Sequence, residues 1–523
     1  PPPPAALAPY FTNLDGPVFA LVNLPEVTKG ALFARYSRSP KSLRRLFLDE
    51  FADRALAAPP ADEVGTQRAE DLYQRIFVEY GDDSVAQLGA AHLACEQSSQ
   101  ILAKVLEWGR LAAYLEQSTR YVPYDDRPGG SWRYLVPPEV ERAGLAERFR
   151  GVADRAFETY ARWLPRMQEF YADAYPKSAD DSDFVYRMSI RAKACDALRG
   201  LLPAATRSNV GIFATGQAYE QLLLRMRAHP LDEVRAYADM MLAELRKVIP
   251  AFLRRVDVPE RGGEWSRYVA TTRERTREAA ATVSVTAAEP RPDVTLTDFD
   301  AEGEIKVVAA ALYPATGVPD DQLLEVARAM SPDERARVLA AYVGDRRNRR
   351  HRPGRAFERT SYRFDVLCDY GAFRDLQRHR MLTIEWQDLT IDHGYDMPRD
   401  VAEAGATRDW NRTMRESADL WSELRAAVIG DDAAQYAVAM AYRIRFAMQM
   451  NAREAMHLIE LRSSPQGHPT YRRIAHEMHR LIAEEAGHRV IADAMRFIDR
   501  SDVDLERLEA ERRSEARRRA AER

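Results

Sequence analysis

The sequence predicts a mixed α/β (α+β) protein, helix-rich, made of two similar domains in tandem with a mixed sheet in each. Three observations lead there. At 523 residues the chain is longer than one hydrophobic core usually organises, so two domains of roughly 200 to 250 residues are expected. Short apolar runs alternate with long amphipathic stretches, such as Ser84–Leu106, Tyr186–Leu202 and Asn209–Leu245, a pattern of dominant helices with interspersed strands. A segment running from Trp108 through Glu116, Ser118 and Arg120 to Tyr121 also has a counterpart from Arg378 through Glu385 to Thr390, Arg378 standing 270 positions after Trp108. Each follows an amphipathic stretch and ends in a polar, strand-like segment, as an internal duplication requires.

The expected organisation follows the composition. Residues 1–17 form a flexible lead-in and residues 18–258 a first repeat. A polar linker rich in Arg, Thr, Glu and Pro occupies 259–304, ending near Glu289-Pro290-Arg291-Pro292. The second repeat spans 305–499. Residues 500–523 are an Ala/Glu/Arg tail whose i,i+4 charges suit a solvated helix.

The chain is 46% hydrophobic and 30% charged, with no apolar run approaching the roughly 18 residues of a membrane span. A net charge of -4 argues against a polyanion-coating protein and leaves room for a local basic pocket. Cys95, Cys195 and Cys368 are far apart and form no CxxC pair, which suggests neither a zinc site nor a disulfide framework. The opening residues lack the pattern of a signal peptide. These features together predict a cytoplasmic protein with no nucleic-acid or membrane partner. His476-Glu477 with His479 lacks the i,i+4 pairing of a zinc helix, so no metal is assigned. No GxGxxG follows a strand, which excludes a Rossmann crevice for any dinucleotide.

Five places carry a resemblance to one family. Arg378-His379-Arg380 with Thr383 resembles the opening of the flavin-dependent thymidylate synthase signature, RHRxxSxxExSxR in outline, and Glu116, Ser118, Arg120 and Tyr121 resemble its ending. Ser84 and Glu358 stand where that family has its HxSxxEH element. Arg199 to Pro203 is similar to its ARxxLP stretch, and Asn451-Ala452-Arg453 through His457 to Arg462 is similar to its NAR helix. The repeats divide the motifs by role. The first has Trp108, Gly109 and Thr215 at flavin-side positions and keeps the nucleotide-side set. The second has Trp386, Asp388, Thr390 and Gln435 at nucleotide-side positions and keeps the flavin-side set.

The resemblance implies methylation of uracil C5, converting dUMP to dTMP with methylenetetrahydrofolate, FAD and NADPH, in one composite site for each pair of repeats. It also implies a homodimer forming a pseudo-tetramer; whether a site closes within or between chains is left open. Arg120 and Arg199, helped by Ser118, suit a doubly charged phosphate because a guanidinium fork makes paired charge-assisted hydrogen bonds. Glu116 orients an arginine or accepts from a ribose or flavin group. Arg378, His379 and Arg380 suit the flavin pyrophosphate and the anionic reduced ring. Ser84, Asn451, Arg453 and His457 complete the cofactor side, and Arg453 and His457 share a helix face. Arg462 is the catalytic candidate, stabilising charge at uracil N3 and its carbonyls and removing the need for an enzyme thiol. Asp375 replaces a Gln of the family pattern, which keeps open C5 modification of another pyrimidine nucleotide. The broken motifs keep open a catalytically silent nucleotide-binding scaffold.

Overall fold

The computed structural model describes residues 7–24, 32, 36, 39–50, 90–179, 181–283, 289–427 and 432–501. Ser84 and all but the first two residues of the charged tail lie outside the described residues.

Two four-stranded sheets form the frame. The first contains β1 (Val18–Leu21), β2 (Ala90–Ser99), β3 (Ala112–Glu116) and β4 (Arg207–Thr215) in the order β1-β2-β4-β3. The second contains β5 (Val294–Phe299), β6 (Ser361–Asp369), β7 (Thr383–Trp386) and β8 (Arg443–Asn451) in the equivalent order β5-β6-β8-β7. All six pairings are antiparallel, where the sequence reading expects mixed sheets. In β8 the buried Ile444, Phe446, Met448 and Met450 alternate with half-buried Arg443, Arg445 and Gln449, the period of two that a strand with one core face requires.

Matched strand-to-helix junctions show the duplication directly. β2 runs into α1 (Gln100–Leu106), where Ser99 Oγ accepts from the Leu102 N–H at 2.9 Å. Further along, Thr215 ends β4 and caps α3 (Gly216–Arg227), which follows the long helix α2 (Ala146–Ala174). In the second repeat Asp369 caps α4 (Tyr370–Gln377). The helix α5 (Thr407–Ala427) comes next, and Asn451 then caps α6 (Ala452–Arg462). Each cap oxygen satisfies an N–H that the first helical turn leaves without a partner. The sequence reading treats Ser84–Leu106 and Asn209–Leu245 as long amphipathic stretches in a pattern of dominant helices with some strands. Their described parts hold β2 and β4 ahead of the helix, because apolar runs this short fit either period.

The segments read as lead-in and linker contain structure. Leu7, Tyr10 and Phe11 are buried with Phe19 and Phe47 in one cluster. The stretch 259–304 contains a helix over Glu264–Thr282 with no buried residue, then β5 itself. Polar composition marks a solvated face, and a solvated helix shares that composition with a linker.

The chain divides into two compact units that do not follow its linear halves. The first takes Pro1–Arg166, Cys195–Ala287 and Val401–Ala439; the second takes Met167–Ala194, Ala288–Asp400 and Met440–Arg523. Within the first unit α2 and α5 run antiparallel along a ladder of ion pairs. Arg148 meets Glu423 at 2.8 Å, Arg155 meets Glu416 at 2.9 Å and Arg162 meets Asp409 at 2.7 Å. Both sides advance by seven residues per rung, the interval at which a packed helix returns to the same face. The rungs are exposed and each contributes well under about 1 kcal/mol, so they fix register more than stability. The apolar seam beneath, with Phe149, Val152, Ala156 and Leu420, supplies the burial. The second repeat's segment is thus part of the first unit's core.

Candidate functional site

In the second unit, the turn after α4 and the helix α6, from its cap Asn451 to its last residue Arg462, bring together flavin-side residues of the sequence reading. Arg378 is the C-cap of α4, and Asn451 caps α6, its side chain accepting from the Glu454 N–H at 2.9 Å. Arg462 donates its Nε–H to His379 Nε2 at 2.9 Å, and His379 Nδ1 lies 3.1 Å from Glu454 Oε1. Nε2 is therefore the acceptor, and Nδ1 carries the proton and donates to the carboxyl group. His457 meets His379 edge-on, ring centroids 5.4 Å apart, and its Nδ1 accepts from Arg352 Nη2 at 2.9 Å. Arg453 donates to the Pro353 carbonyl at 2.9 Å and lies 3.5 Å from Glu358. Asp375 is buried, pairs with Arg378 and lies 3.9 Å from Arg462. Arg380 is exposed beside the buried His379.

The electrostatics follow from burial among arginines. Burial pushes His379 well below the ordinary imidazole range, and Arg462, His457, Arg378 and Arg352 push it further. Burial, then Arg352 and Arg349, bring His457 down to about 4. Burial raises the Glu454 carboxyl to about 7 against the opposing pull of Arg352, Arg453 and Arg380. Both imidazoles are neutral at physiological pH and act as acceptors that aim guanidinium groups. One ligand atom from each of His379, Glu454 and His457 lies within 4.8 Å of the others, a spacing that suits a metal ion. The surroundings do not, because both His379 nitrogens are engaged and several guanidinium groups face the cluster. The donor set fits an anion.

The nucleotide-side residues gather in the first unit. Arg120 donates to Asp196 Oδ1 at 2.9 Å, and Arg199 Nε stands 3.5 Å from the same oxygen. Ser118 Oγ accepts from the Arg120 N–H at 3.3 Å. Glu116 is buried at the end of β3, opposite Val210 of β4. Asp196, which aligns the two guanidinium groups, is absent from the sequence reading; its one signal there is the i,i+3 spacing to Arg199. Glu454 and Arg352 are the corresponding omissions in the second unit. Their partners stand 75 and 105 residues away in sequence, beyond the reach of a local pattern.

The positions in the first repeat equivalent to Arg378, His379, Glu454 and Arg462 carry other residues. A Cβ on Gly109, which stands where His379 stands, would meet Tyr114 Oη at 2.5 Å. Arg225 packs over the Trp108 ring at 5.2 Å. With β4 and β8 aligned on their capping residues, Arg462 corresponds to the fully buried Met226 and Glu454 to Ala218. In the second repeat Trp386 packs edge-on against Phe373, Asp388 is exposed and Thr390 Oγ1 accepts from the Asp392 N–H. In the first unit, Gln435 is buried and donates to the Asp432 carbonyl at 3.2 Å.

All three cysteines are buried, and burial raises Cys95 and Cys368 well above the ordinary thiol range, the reverse of what a nucleophilic thiolate requires. His476 and His479 each direct a ring nitrogen at a main-chain carbonyl, of Asp499 at 2.6 Å and of Ala492 at 3.1 Å. No helix among the described residues is long and apolar enough to cross a membrane.

The fold and its arginine-lined turns define a class: a duplicated α+β protein in which two similar sheets carry unlike polar sets at equivalent junctions. The family model described as thymidylate synthase complementing protein matches residues 31–251 and again 295–487, and the chain belongs to that family as a tandem pair. It is similar over nearly its whole length to the UPF0159 protein of Chlamydia muridarum, 39% identical over 98% of this chain and 97% of the relative. The UPF0159 protein of Thermoplasma acidophilum is 32% identical over 93% and 98%. A flavin-dependent thymidylate synthase of Clostridium tetani is 25% identical over 34% of this chain and 67% of its own length.

Proposed function

We propose that this protein methylates C5 of uracil in dUMP, giving dTMP, with methylenetetrahydrofolate as one-carbon donor and FAD and NADPH as redox partners. The observation that carries this reading is the hydrogen-bonded series Arg462–His379–Glu454, set among Arg352, Arg378, Arg380 and Arg453. A flavin held there would supply hydride, and these side chains match the negative charge of its reduced ring and pyrophosphate. Arg378 and Arg380 bind those anionic groups. His379 and His457, both neutral, orient Arg462 and Arg352 without adding charge. Arg462, its plane set by His379, stabilises negative charge at uracil N3 and the carbonyls. Asn451 and Arg453 complete the cofactor side; Ser84 is assigned there on the family pattern alone. In the first unit Arg120 and Arg199, aligned by Asp196, hold the nucleotide phosphate, with Ser118 and Glu116 beside them. Two chains would then make a pseudo-tetramer with one working site for each pair of repeats, in the cytoplasm.

The test is turnover by purified full-length protein supplied with dUMP, methylenetetrahydrofolate, FAD and NADPH, the product identified by mass. A protein that shows no flavin absorbance near roughly 450 nm after incubation with FAD, and forms no dTMP, contradicts the reading. A second reading rests on Asp375, whose buried carboxylate stands 3.9 Å from Arg462. An acid so close to the base-recognising arginine can accept from an exocyclic amine, which uracil lacks. Faster C5 modification of dCMP than of dUMP in the same assay supports that alternative.

A further inference from the structure

Residues 346–355 contain six arginines, Arg346, Arg347, Arg349, Arg350, Arg352 and Arg355, together with His351. So dense a run repels itself, and an unconstrained loop of this composition would spread into solvent. Here it is tied down. Arg346 is buried and bidentate to the equally buried Glu460 at 2.7 and 2.6 Å, and it also donates to the carbonyls of His351 and Ala494. The Asn348 side chain accepts from the Arg350 N–H at 2.9 Å, and the His351 N–H donates back to the Asn348 carbonyl at 3.0 Å. The Ala356 N–H donates to Tyr342 Oη at 3.0 Å. One arginine is therefore spent inside the fold to hold the others outside.

The outer arginines are not alike. Arg347 and Arg355 have carboxylate neighbours, Asp345 at 3.7 Å and Glu358 at 3.0 Å. Arg349 and Arg350 are exposed and form no ion pair among the described residues, and Arg352 is exposed and directed at His457. Arg352 Nη2 stands 2.9 Å from His457 Nδ1, whose ring packs on His379, and the Arg349 charge also acts on His457, so this part of the loop borders the Arg462–His379–Glu454 series. Three exposed guanidinium groups within four residues, held in a turn beside the neutral His457, concentrate positive potential; among the described residues Arg349 and Arg350 form no ion pair, and the Arg352 charge acts on the buried Glu454 carboxyl.

We propose that the Arg349–Arg352 turn is a phosphate-binding subsite, taking the phosphate or pyrophosphate of a nucleotide that reaches the His379–His457 cluster. It is additional to the Arg120–Arg199 pair and does not depend on dUMP being the substrate. Its chemistry is that of a tetrahedral, multiply charged oxyanion met by several planar forks. The pyrophosphate of a flavin dinucleotide and the extra phosphate of a phosphorylated nicotinamide nucleotide both satisfy it.

The experiment titrates inorganic pyrophosphate into the full-length protein by calorimetry, comparing wild type with Arg349→Ala/Arg350→Ala, Arg352→Ala and Arg347→Ala. The double variant and Arg352→Ala are expected to bind about tenfold more weakly, and Arg347→Ala within about twofold of wild type. Arg120→Ala retains the loop-dependent component, which separates it from the other guanidinium pair. Absence of binding to wild type, or unchanged binding in both loop variants, overturns the proposal. The source is read from two further titrations. Weaker FAD with unchanged riboflavin assigns the flavin dinucleotide, and loss of discrimination between NADPH and NADH assigns the reductant; no change in either overturns a role for the turn in nucleotide binding. Wild-type turnover of dUMP, assayed in parallel, reports separately on the proposed reaction.

Discussion

The Nε–H of Arg462 points at Nε2 of His379, 2.9 Å away, which places the imidazole proton on the nitrogen facing Glu454. A guanidinium held through Nε has its plane fixed, and a fixed plane of N–H donors is what a uracil edge can read.

Arg462→Lys is therefore expected to behave like a loss-of-function variant. A lysine ammonium has no separate Nε–H with which to be aimed, so charge is kept and geometry is lost. Turnover of dUMP should fall by roughly 100- to 1000-fold while FAD affinity, followed by flavin absorbance, changes little. A lysine variant within about threefold of wild-type turnover would remove Arg462 from the mechanism.

Glu454→Gln isolates the buried carboxyl. Its folded-state value of about 7 lies above the ordinary 4.5, so between these limits the folded protein holds a proton that the unfolded chain releases. Stability relative to the Gln variant is fully present below about pH 4.5 and falls as pH rises through about 7. The wild type should lose about 1 to 3 kcal/mol against Glu454→Gln between pH 5 and 8. His457, whose shift has the opposite effect, is common to both proteins and cancels to first order. Paired denaturant melts across this range check it, and a gap independent of pH contradicts it.

Glu460→Ala leaves Arg346 buried without its counter-ion. The expected cost is about 3 to 5 kcal/mol, seen as a lower denaturation midpoint, with release of the basic loop. Replacement of both partners by apolar residues should cost much less, because no charge is then stranded. Equal losses in the single and double variants would show that the pair contributes packing alone.

Gly109→His together with Trp108→Arg rebuilds the basic triplet in the first repeat without rebuilding a site. The new side chain meets the Tyr114 hydroxyl, and Met226 and Ala218 replace the polar partners it would need. We expect unchanged flavin stoichiometry and a loss of about 1 to 3 kcal/mol. A doubling of bound flavin per chain would show that the first repeat is a competent site lacking only two residues.

Arg120→Ala and Arg462→Ala each remove one half of the proposed machinery. Each should abolish turnover alone. Activity on mixing the two inactive proteins is expected only if a site draws its halves from different chains. Full activity of either single variant contradicts the division of labour between the repeats.

Much of this was legible along the chain. The basic triplet at 378–380, the NAR helix and the Glu116–Arg120 segment sit in local patterns, and caps such as Asn451 follow from residue type and position. The different residues at matched positions of the two repeats were also readable, because they depend only on aligning two segments of one sequence. The strands inside Ser84–Leu106 and Asn209–Leu245 were not, since a short apolar run satisfies both the two-residue and the 3.6-residue period until its partner strand is known.

The sequence by itself determined that the chain is a duplication, and which unlike residues stand at the matched positions of its two repeats. Only the tertiary structure decided that Glu454 and Arg352 stand against the two histidines, that Asp196 aligns Arg120 and Arg199, and that residues 401–439 complete the core of the first unit. The reason is physical. Propensity and periodicity act over a few residues, whereas the partner of a buried polar group is chosen by chain closure over tens to hundreds of residues, where burial and hydrogen bonding must be satisfied together.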